Sequence, residues 1–591
     1  MLQKIIPFIL LLYFFTFFSS TTLTEPWEQK LSKALIEKAR LEPVTFIIQL
    51  KSQADLSKSK FLKTKKARAN FSFKQLKTTA TKSQTNLIQL LKNANAPIQS
   101  FYVVNAIASK GDIELIQLLA EQPEVEKIIE NSPFKIDEPI IENVATQRDI
   151  MWGILMINAD EVWDMGYRGQ GVVVGGQDTG YDWTHPALQS KYRGWDETNM
   201  TADHNYNWHD AIHEINLLHG DSIIEPTNNP CGLNSMVPCD DNNHGTHTMG
   251  TMVGSDGNDQ IGVAPDAKWI SCRNMERGYG SPISYIECFE WLMAPTDLNN
   301  ENPDPSKAPH VFANSWSCPE TEGCDSTNWG IMEMVVNNVK NSGIVVVVSA
   351  GNSGSDGCGS ISTPASIFEN SFTVGATRQN DTITSFSSRG PVMVDNSMRM
   401  KPNIVAPGRQ VRSSIRDSSY AFFSGTSMSG PHVAGLVALI ISANPDLAGQ
   451  VEVIEDIIEQ TAVQKQTDET CGDTPGTDVP NNTYGHGRVD ALAAVEMALS
   501  MTTPTENLIS NANLRVFPNP FQNNLHFEIK DLSGPTQLKV FSATGQLTGT
   551  WEWNLELNDT RQISLDQLPG GVYFYQIDHE QGRLEGKVVK Y

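Results

Sequence analysis

Two apolar patterns run along the 591-residue chain and divide it into regions. Between about residues 146 and 501, short continuous apolar runs such as VVVGG and IVVVVSA alternate with apolar helical segments such as AGLVALIISA. Runs of this kind are typical of strands buried on both faces of a sheet, so this region is expected to form an α/β domain. From about Ile509, alternating strand patterns are separated by Gly and Asn turns, which predicts a small β-sandwich over residues 509–591.

The amino-terminal part of the chain carries two further patterns. Lys4 precedes the short apolar run IIPFILLLYFF, and small polar residues follow, which is typical of a secretory signal peptide over residues 1–22. Residues 25–143 contain VTFIIQL, a lysine-rich stretch, FYVVNAIASKGD and IELIQLLAEQ, which predict a small β-α-β-α domain closed by a strand at Val125–Ile129. No other segment is apolar enough to cross a bilayer, so the mature protein is expected to lack a transmembrane segment.

Charge narrows the range of partners. The formal net charge of -24 at pH 7 argues against nucleic acid as a partner of the whole chain. Positive residues crowd one stretch, from Lys51 to Lys82, in which Asp55 is the only acid. A nucleic-acid patch is the alternative interpretation of this stretch. We favour a solvated helix face that complements an acidic region elsewhere in the chain.

Candidate chemistry lies in three separate segments. Asp178 ends the strand-like VVVGGQD, His244 opens HGTHTMGT, and Ser427 lies at the start of an apolar helix in GTSMSGPHVAG. Functional carboxylates of open α/β sheets collect at strand ends, and helix amino ends favour developing negative charge. Taken singly, these segments are equally typical of a turn, a weak metal pattern and a helix cap. Together, in the order Asp, His, Ser, they supply an orienting acid, a proton acceptor and an attacking hydroxyl.

These segments, with IGVAPDAKWI, SGIVVVVSAGNSG, FSSRGP and KPNIVAPG, resemble the subtilisin-type serine proteases over roughly residues 152–499, and especially the bacillopeptidase-like secreted members. The resemblance implies a subtilisin-like parallel sheet with helices on both faces, over residues 146–501. It makes Asp178 the orienting acid, His244 the general base and Ser427 the nucleophile. Asn352 of SAGNSG would donate to the oxyanion together with the backbone N–H of Ser427. His247 is assigned to packing.

The same resemblance nominates substrate-binding residues. The strand VFANSWSC is similar to the segment that pairs with extended substrate and forms one wall of the S1 pocket, which nominates Ser315, Trp316 and Ser317. Gly351 is nominated beside them. Ser317 stands where the family pattern has Gly, so small or medium P1 side chains are expected to be favoured over aromatic ones.

The flanking regions resemble known accessory domains. Residues 25–143 resemble the inhibitory propeptide of subtilases, whose tail occupies the cleft, and self-cleavage is expected between about Glu130 and Met151. FPNP, a turn at Gly545, LPGGVY and a terminal lysine strand resemble the carboxy-terminal sorting domain of type IX secretion, joined by a linker at residues 502–508. A carbohydrate- or protein-binding sandwich is the alternative for this region.

All eight cysteines lie in the catalytic region of a chain that is expected to be exported, which predicts disulfides. The short loops favour Cys231–Cys239 and Cys318–Cys324. The other four cysteines would then pair as Cys272–Cys288 and Cys358–Cys471.

Metal binding is left open. An insertion at residues 199–239 carries four histidines, which suit a surface loop better than a metal site because no matching cysteine or carboxylate spacing is evident; they are His204, His209, His213 and His219. No metal ligand is assigned, and calcium is the only cofactor considered. Ala187 stands where many subtilases place a calcium-binding Asp, although Asp256, Asn258 and Asp259 offer oxygen atoms.

The sequence therefore predicts a secreted or surface-held serine endopeptidase, exported through the periplasm and made as an autoprocessed zymogen. Its expected partners are polypeptide substrates, its own propeptide as inhibitor, and the secretion machinery. The alternative is a catalytically inactive subtilase scaffold that serves as a surface adhesin. The intact set of Asp178, His244, Asn352 and Ser427 argues against that alternative.

Overall fold

The computed structural model describes residues 25–136, 138–142, 149–219, 229–315, 329–501, 514–530, 532–543, 546–579 and 582–591. The expected signal peptide, Trp316, Ser317, the Cys318–Cys324 pair, the linker and Gly545 lie outside the described residues. One compact unit extends to Leu499, and a second begins at Ser500.

The amino-terminal domain is a four-stranded antiparallel sheet with helices. Its helices are α1 (Lys33–Ala39), α2 (Lys65–Ser83), α3 (Thr85–Asn93) and α4 (Ile113–Ala120), and its strands are β1 (Val44–Leu50), β2 (Gln99–Phe101), β3 (Ala106–Gly111) and β4 (Val125–Glu130). The strand order is β2-β3-β1-β4. The run VTFIIQL is β1, which lies inside the sheet, and this position explains why most of its side chains are buried.

The catalytic region is built on a seven-stranded parallel sheet. Its helices are α5 (Trp152–Met156), α6 (Ala159–Asp164), α7 (His244–Val253), α8 (Pro282–Met293), α9 (Trp329–Asn341), α10 (Thr426–Ala443), α11 (Val451–Gln460) and α12 (Ala491–Ser500). Its strands, with two that precede it, are β5 (Phe134–Lys135), β6 (Ile140–Glu142), β7 (Val173–Asp178), β8 (Trp195–Asp196), β9 (Thr201–Ala202), β10 (Trp208–Asp210), β11 (Ser255–Asp256), β12 (Asp259–Gln260), β13 (Lys268–Arg273), β14 (Met275–Glu276), β15 (Tyr279–Gly280), β16 (Val311–Asn314), β17 (Val345–Ser349), β18 (Phe372–Thr377), β19 (Ile404–Pro407), β20 (Val411–Ile415) and β21 (Ser419–Ser424). The sheet order is β10-β13-β7-β16-β17-β18-β19.

Helices cover both faces of this sheet, and the valine run of β17 shows why. Val345 and Val347 pack into one apolar core together with side chains of α7 and α10. Val346 and Val348 pack into a second core together with side chains of α8 and α9. Because alternate residues of a strand point to opposite faces, a strand covered on both sides must be apolar at every position. The expected α/β architecture is therefore confirmed.

The helix α10 that carries Ser427 is the central helix of the first core. By length and hydropathy it is the one helix in the described part of the chain that would pass as a membrane span, yet 94% of that stretch is buried inside the domain. Its apolar composition is explained by this burial.

The second unit consists of two antiparallel sheets. Its strands are β22 (Leu514–Phe517), β23 (Asn524–Ile529), β24 (Gly534–Ser542), β25 (Leu547–Leu555), β26 (Asp559–Ser564), β27 (Gly571–His579) and β28 (Gly582–Lys590). The sheets have the orders β22-β23-β26 and β25-β24-β27-β28. Alternate residues of β23 and β24, such as Phe527 and Val540, share one apolar core, which matches the alternating pattern in the sequence. This part of the fold expectation is confirmed as well.

Three of the four expected disulfides are present among the described residues. They are Cys231–Cys239, Cys272–Cys288 and Cys358–Cys471. The last bridge spans 113 residues, so it closes a far longer loop than the other two.

Candidate active site

The sheet topology brings the candidate residues to one edge. Asp178 ends β7, Ser315 follows β16, and Gly351 and Asn352 follow β17, and these three strands are parallel neighbours. The carboxyl ends of parallel neighbours lie at the same edge of a sheet, where open α/β sheets form their ligand sites. The helices that begin with His244 and with Thr426 start at this edge, so distant parts of the sequence meet here.

Asp178 and His244 form a tightly held pair. His244 Nδ1 lies 2.7 Å from Asp178 Oδ1 and 2.9 Å from Oδ2, and both side chains are buried. A carboxylate only accepts hydrogen bonds, so Nδ1 carries the proton and Nε2 presents a lone pair. Burial alone lowers the pKa of His244, but the charge and hydrogen bond of Asp178 outweigh it and raise the pKa above its ordinary value. Nε2 is buried and makes no hydrogen bond within the described residues.

Asp240 supports this pair and was missed by sequence reasoning. Its Oδ1 accepts the hydroxyl proton of Thr179 at 2.9 Å, and its Oδ2 accepts the backbone N–H and the hydroxyl of Thr246 at 3.0 and 2.6 Å. It therefore ties the residue after Asp178 to the first turn of α7. The available signal was an acid four residues before His244, because acidic side chains are favoured at helix amino ends.

His247 lies away from this reaction centre. Its ring stacks on Phe423 at 4.3 Å, and its Nε2 donates to the carbonyl of Val411 at 3.0 Å. Burial lowers the pKa of His247 to about 3, so the ring is neutral at physiological pH. These contacts are those of a packed side chain.

Ser427 is the second residue of α10 and is almost fully buried. Its hydroxyl donates to the carbonyl of Ser315 at 3.2 Å, and the Ser315 hydroxyl lies 3.4 Å from the carbonyl of Ser427. Because the first four N–H groups of a helix have no intrahelical acceptor, the N–H of Ser427 is available at this site. The structure thus brings Ser315 directly against Ser427.

Asn352 is fixed through its oxygen. Its Oδ1 accepts the backbone N–H of Thr426 at 2.9 Å and the Thr426 hydroxyl at 3.0 Å. The same hydroxyl lies 3.2 Å from the N–H of Gly351, whose φ of 98° suits glycine. With the oxygen engaged, the Nδ2–H groups of Asn352 are the donors left for a ligand.

Two strands of the chain's own amino-terminal region lie next to this site. Phe134 and Lys135 of β5 pair with Gly280 and Tyr279 of β15, and the N–H of Ile136 donates to the Gly278 carbonyl at 2.7 Å. On the other side of the site, β6 pairs with β21, with Ile140 opposite Ser424. Ser424 lies three residues before Ser427. Residues 136–140 therefore connect two strands that flank the candidate active site, and the Glu138 carboxylate is close enough to raise the pKa of His244.

The histidines of the insertion are bound to protein groups. His209 Nε2 and His213 Nε2 lie 2.7 and 2.9 Å from Glu287 Oε1. Sequence reasoning saw no carboxylate with suitable spacing, because Glu287 lies on α8, at a separation of 74 residues from His213. The hydrogen bond that His213 donates to the Glu287 carboxylate raises the pKa of His213 to about 9. His204 contacts Tyr192, and His219 contacts the Glu276 carbonyl.

One of the oxygen donors considered for calcium is already engaged by another group. Asp259 binds Arg412 through both carboxylate oxygens, at 2.6 and 2.8 Å, so its charge is already neutralised by a guanidinium. In the described part of the chain, the only three ligand-type side chains whose ligand atoms cluster within 4.8 Å are Cys358, Glu469 and Cys471. The two cysteines of that cluster form a disulfide.

Two family profiles match the chain. Residues 169–487 match the subtilase family, and residues 515–591 match the secretion system C-terminal sorting domain. The sorting domain marks the chain as a secreted or cell-surface protein and implies that it meets a secretion machinery.

Curated relatives agree with the first match. Bacillopeptidase F of Bacillus subtilis is 35% identical over 521 residues, which are 82% of this chain and 34% of that protein. The chain thus spans about a third of this relative. An alkaline protease of Alkalihalobacillus alcalophilus is 29% identical over 66% of this chain and 84% of its own length. Subtilisin Savinase of Lederbergia lenta is 30% identical over 59% of this chain and 99% of its own length.

A solved structure supports the fold. The epidermin leader peptide processing serine protease of Staphylococcus aureus, crystallised as a mutant, aligns with a TM-score of 0.55 at 15% identity, over 77% of this chain and 100% of that one. The parallel sheet, the matched profile over residues 169–487 and the curated relatives all agree. The chain belongs to the subtilase family of serine endopeptidases and ends in a type IX secretion sorting domain.

Proposed function

We propose that this protein hydrolyses peptide bonds of polypeptide substrates through an acyl-enzyme on Ser427. The observation that carries the proposal is the Asp178–His244 pair, in which His244 Nδ1 lies 2.7 Å from Asp178 Oδ1 and Nε2 has no hydrogen-bond partner within the described residues. An imidazole held in this way accepts a proton from a serine hydroxyl, and the carboxylate stabilises the imidazolium that forms.

The reaction uses four side chains in two steps. Ser427 Oγ attacks the peptide carbonyl as His244 Nε2 takes its proton, and the resulting oxyanion is bound by the Ser427 N–H and Asn352 Nδ2. The imidazolium then gives the proton to the leaving amine, and the C–N bond breaks to leave an ester on Ser427. Water, deprotonated by His244, attacks that ester, and His244 returns the proton to Ser427 Oγ as the C–O bond breaks and the new carboxyl end is released.

The Ser427 hydroxyl must leave the Ser315 carbonyl before it attacks. That bond is 3.2 Å long, so it is a weak restraint on a side chain with one rotatable torsion. A rotation about χ1 turns Oγ away from Ser315, and substrate binding is expected to select the rotamer that faces His244.

We further propose that the chain is made as a zymogen cut within residues 136–140. This proposal places the cleavage site more narrowly than the range between Glu130 and Met151 that was expected from the sequence. The support is the pairing of β5 with β15 and of β6 with β21, which fixes the chain just before and just after this range next to the candidate site.

Contacts of the amino-terminal domain support its role as an inhibitor. The N–H groups of Tyr102 and Val103 donate to Glu290 Oε2 at 2.5 and 2.8 Å, at the surface of α8. Arg68 lies 3.2 Å from Glu452, and the ammonium of Lys65 donates to the Ala308 carbonyl at 2.6 Å. These contacts hold the domain against the catalytic region while the segment occupies the cleft.

The test is the Ser427→Ala variant, compared with Ser442→Ala at the far end of the same helix. In subtilisin, loss of the catalytic serine lowers kcat about a millionfold, a magnitude borrowed from that enzyme. Ser427→Ala should neither hydrolyse casein nor mature, whereas Ser442→Ala should do both. A serine-directed phosphonate should label only chains that retain Ser427. Casein hydrolysis by Ser427→Ala would overturn the proposal, and an unlabelled, inactive wild type would favour the adhesin alternative.

The position of the cut is measured on the mature enzyme. Amino-terminal sequencing of the mature enzyme should give a first residue between 137 and 140. A mature enzyme that retains the lysine-rich residues 51–92 would contradict the zymogen proposal and leave the chemistry of Ser427 untouched.

A further inference from the structure

The Glu142 carboxylate contacts three polar groups of the catalytic region. Its Oε1 accepts the hydroxyl proton of Ser424 at 2.8 Å and lies 3.6 Å from Arg409 Nε, while its Oε2 accepts from the side-chain amide of Gln410. Burial alone would raise the pKa of Glu142, but these donors outweigh it and hold the pKa below its usual range. The ionised side chain is therefore the form that these contacts favour.

The Ser424 hydroxyl and the backbone of Gln410 are held independently of Glu142. The backbone N–H of Gln410 donates to Ser424 Oγ at 2.8 Å, so the Ser424 hydroxyl proton is left to donate to another acceptor. The Gln410 carbonyl accepts from Trp152 Nε1 at 3.0 Å. The turn that carries Arg409 and Gln410 is thus tied to both β21 and α5. The backbone that carries these donors is therefore held by contacts within the catalytic region.

These donors lie next to the strand that leads into Ser427. Glu142 pairs with Phe422 of β21, and that strand leads through Ser424 directly into Ser427. Ile140, two residues earlier, pairs with Ser424, and the proposed cut lies before Ile140. After the cut, residues 140–142 remain attached to the catalytic region, so a substrate has to displace them. A polypeptide that does so and lies across the site in the same direction presents its own side chain to these donors, on the carboxyl side of the bond to be cut.

We propose that Arg409, Gln410 and Ser424 form a subsite that selects an acidic side chain in polypeptide substrates, two residues beyond the residue that pairs with Ser424. This inference rests on the proposed function and names a specificity within it. A carboxylate accepts from all three groups at once, whereas a lysine there is repelled by Arg409. Glutamine fills the same volume without the charge, so it loses the charge-assisted part of the binding.

The expected selectivity is moderate. The side chain of Arg409 is 40% exposed, and solvent screens an ion pair of this kind. We expect peptides with Glu at this position to be cut about three- to tenfold more efficiently, by kcat/KM, than peptides with Gln, and lysine peptides to be poorer still.

The experiment uses the mature enzyme and three quenched fluorescent peptides with the chain's own sequence 132–144, which carry Glu, Gln or Lys at position 142. Mass spectrometry verifies that all three are cut at the same bond. The wild type should prefer the Glu peptide, Arg409→Gln should reduce the Glu-to-Gln ratio to below about twofold, and Arg409→Glu should prefer the Lys peptide. The control is Lys268→Gln, which removes one exposed positive charge on β13 and should keep the wild-type ratio.

Two results would overturn the subsite. One is equal efficiency of the wild type on all three peptides, and the other is an unchanged Glu-to-Gln ratio in Arg409→Gln. Casein hydrolysis measured in parallel separates this failure from a failure of the proposed function. An enzyme that cuts casein normally but does not discriminate among the peptides refutes the subsite alone, whereas a wild type without any hydrolysis refutes the function.

Discussion

Asn352 is held by its oxygen in a way that leaves its nitrogen for the transition state. Its replacement by Ala removes one donor to the oxyanion without touching the segments that bind substrate backbone. In subtilisin such a loss lowers kcat about 100- to 1000-fold, a range taken from that enzyme. We expect Asn352→Ala to lower kcat by this order with KM nearly unchanged, measured on a small peptide substrate. Asn299→Ala, in an exposed loop, is the control. A change confined to KM would instead identify Asn352 as a substrate-binding residue.

The acid side of the pH profile belongs to His244. The protonated imidazole cannot accept the serine proton, so kcat/KM should fall as the pH drops through the pKa of this residue. Asp178 raises that pKa, and Glu138 adds to it while the segment is in place. We therefore expect the acid limb of the mature enzyme to lie at lower pH than that of serine labelling in the uncut chain.

Asp178→Asn tests the same pair by removing the negative charge. Loss of that charge lowers the pKa of His244, so any residual activity should show an acid limb shifted to lower pH, together with a large fall in kcat. The measurement is the pH dependence of kcat/KM. An acid limb that keeps its position would mean that Asp178 does not act on His244 electrostatically.

Most residues of the candidate site could be predicted from short local sequence runs. Contacts between residues far apart in the sequence could not. Asp178, His244 and Ser427 each lie in a short run whose letters constrain a strand end or a helix start. Glu287 beside His209 and Arg412 beside Asp259 are joined across 78 and 153 residues. Nothing local in either run indicates the other, because such contacts arise from how helices and strands are placed around the sheet. The calcium question was open for that reason.

At the level of elements, α8 is the support for the amino-terminal domain. Glu290 accepts two backbone N–H groups of that domain, and its loss leaves both donors buried without an acceptor. An unsatisfied buried donor costs about 1–3 kcal/mol. We expect Glu290→Ala in the mature enzyme to weaken inhibition by the separately added amino-terminal domain about tenfold or more, measured as Ki. Glu301→Ala, at an exposed position, should leave Ki unchanged.

Element types followed from the sequence where burial forced a pattern. The valine run became β17 because both of its faces are covered, and the polar alternation near the carboxyl end became a two-sheet domain. The pairing of β5 and β6 with β15 and β21 was not visible in the same way, because their short sequences lack a distinctive period. Their place was implied only by the resemblance of the whole region to a propeptide.

For the whole molecule, the division after Leu499 separates the unit with the candidate catalytic residues from the unit that contains the sorting domain. The second unit has its own apolar core, and all the candidate catalytic residues precede it. Deletion of residues 509–591 should therefore leave peptide hydrolysis by the matured enzyme within about twofold of wild type and trap the protein in the periplasm. Cell fractionation with activity assays on each fraction measures both. Normal export of the truncated chain would favour the alternative of a binding role for this unit.

The pairing of one continuous segment with strands on both sides of the site has a kinetic consequence. Under the self-cleavage proposed above, each chain presents the bond to its own serine and cuts it in a unimolecular step, so the half-time of maturation should be the same in a dilute sample as in a concentrated one. On that proposal, each exported molecule matures at a rate set within itself and needs no second molecule to start the cleavage. The delay is set by the strength of the two pairings and by the chemistry of Ser427, and it is independent of how many copies the cell has sent out.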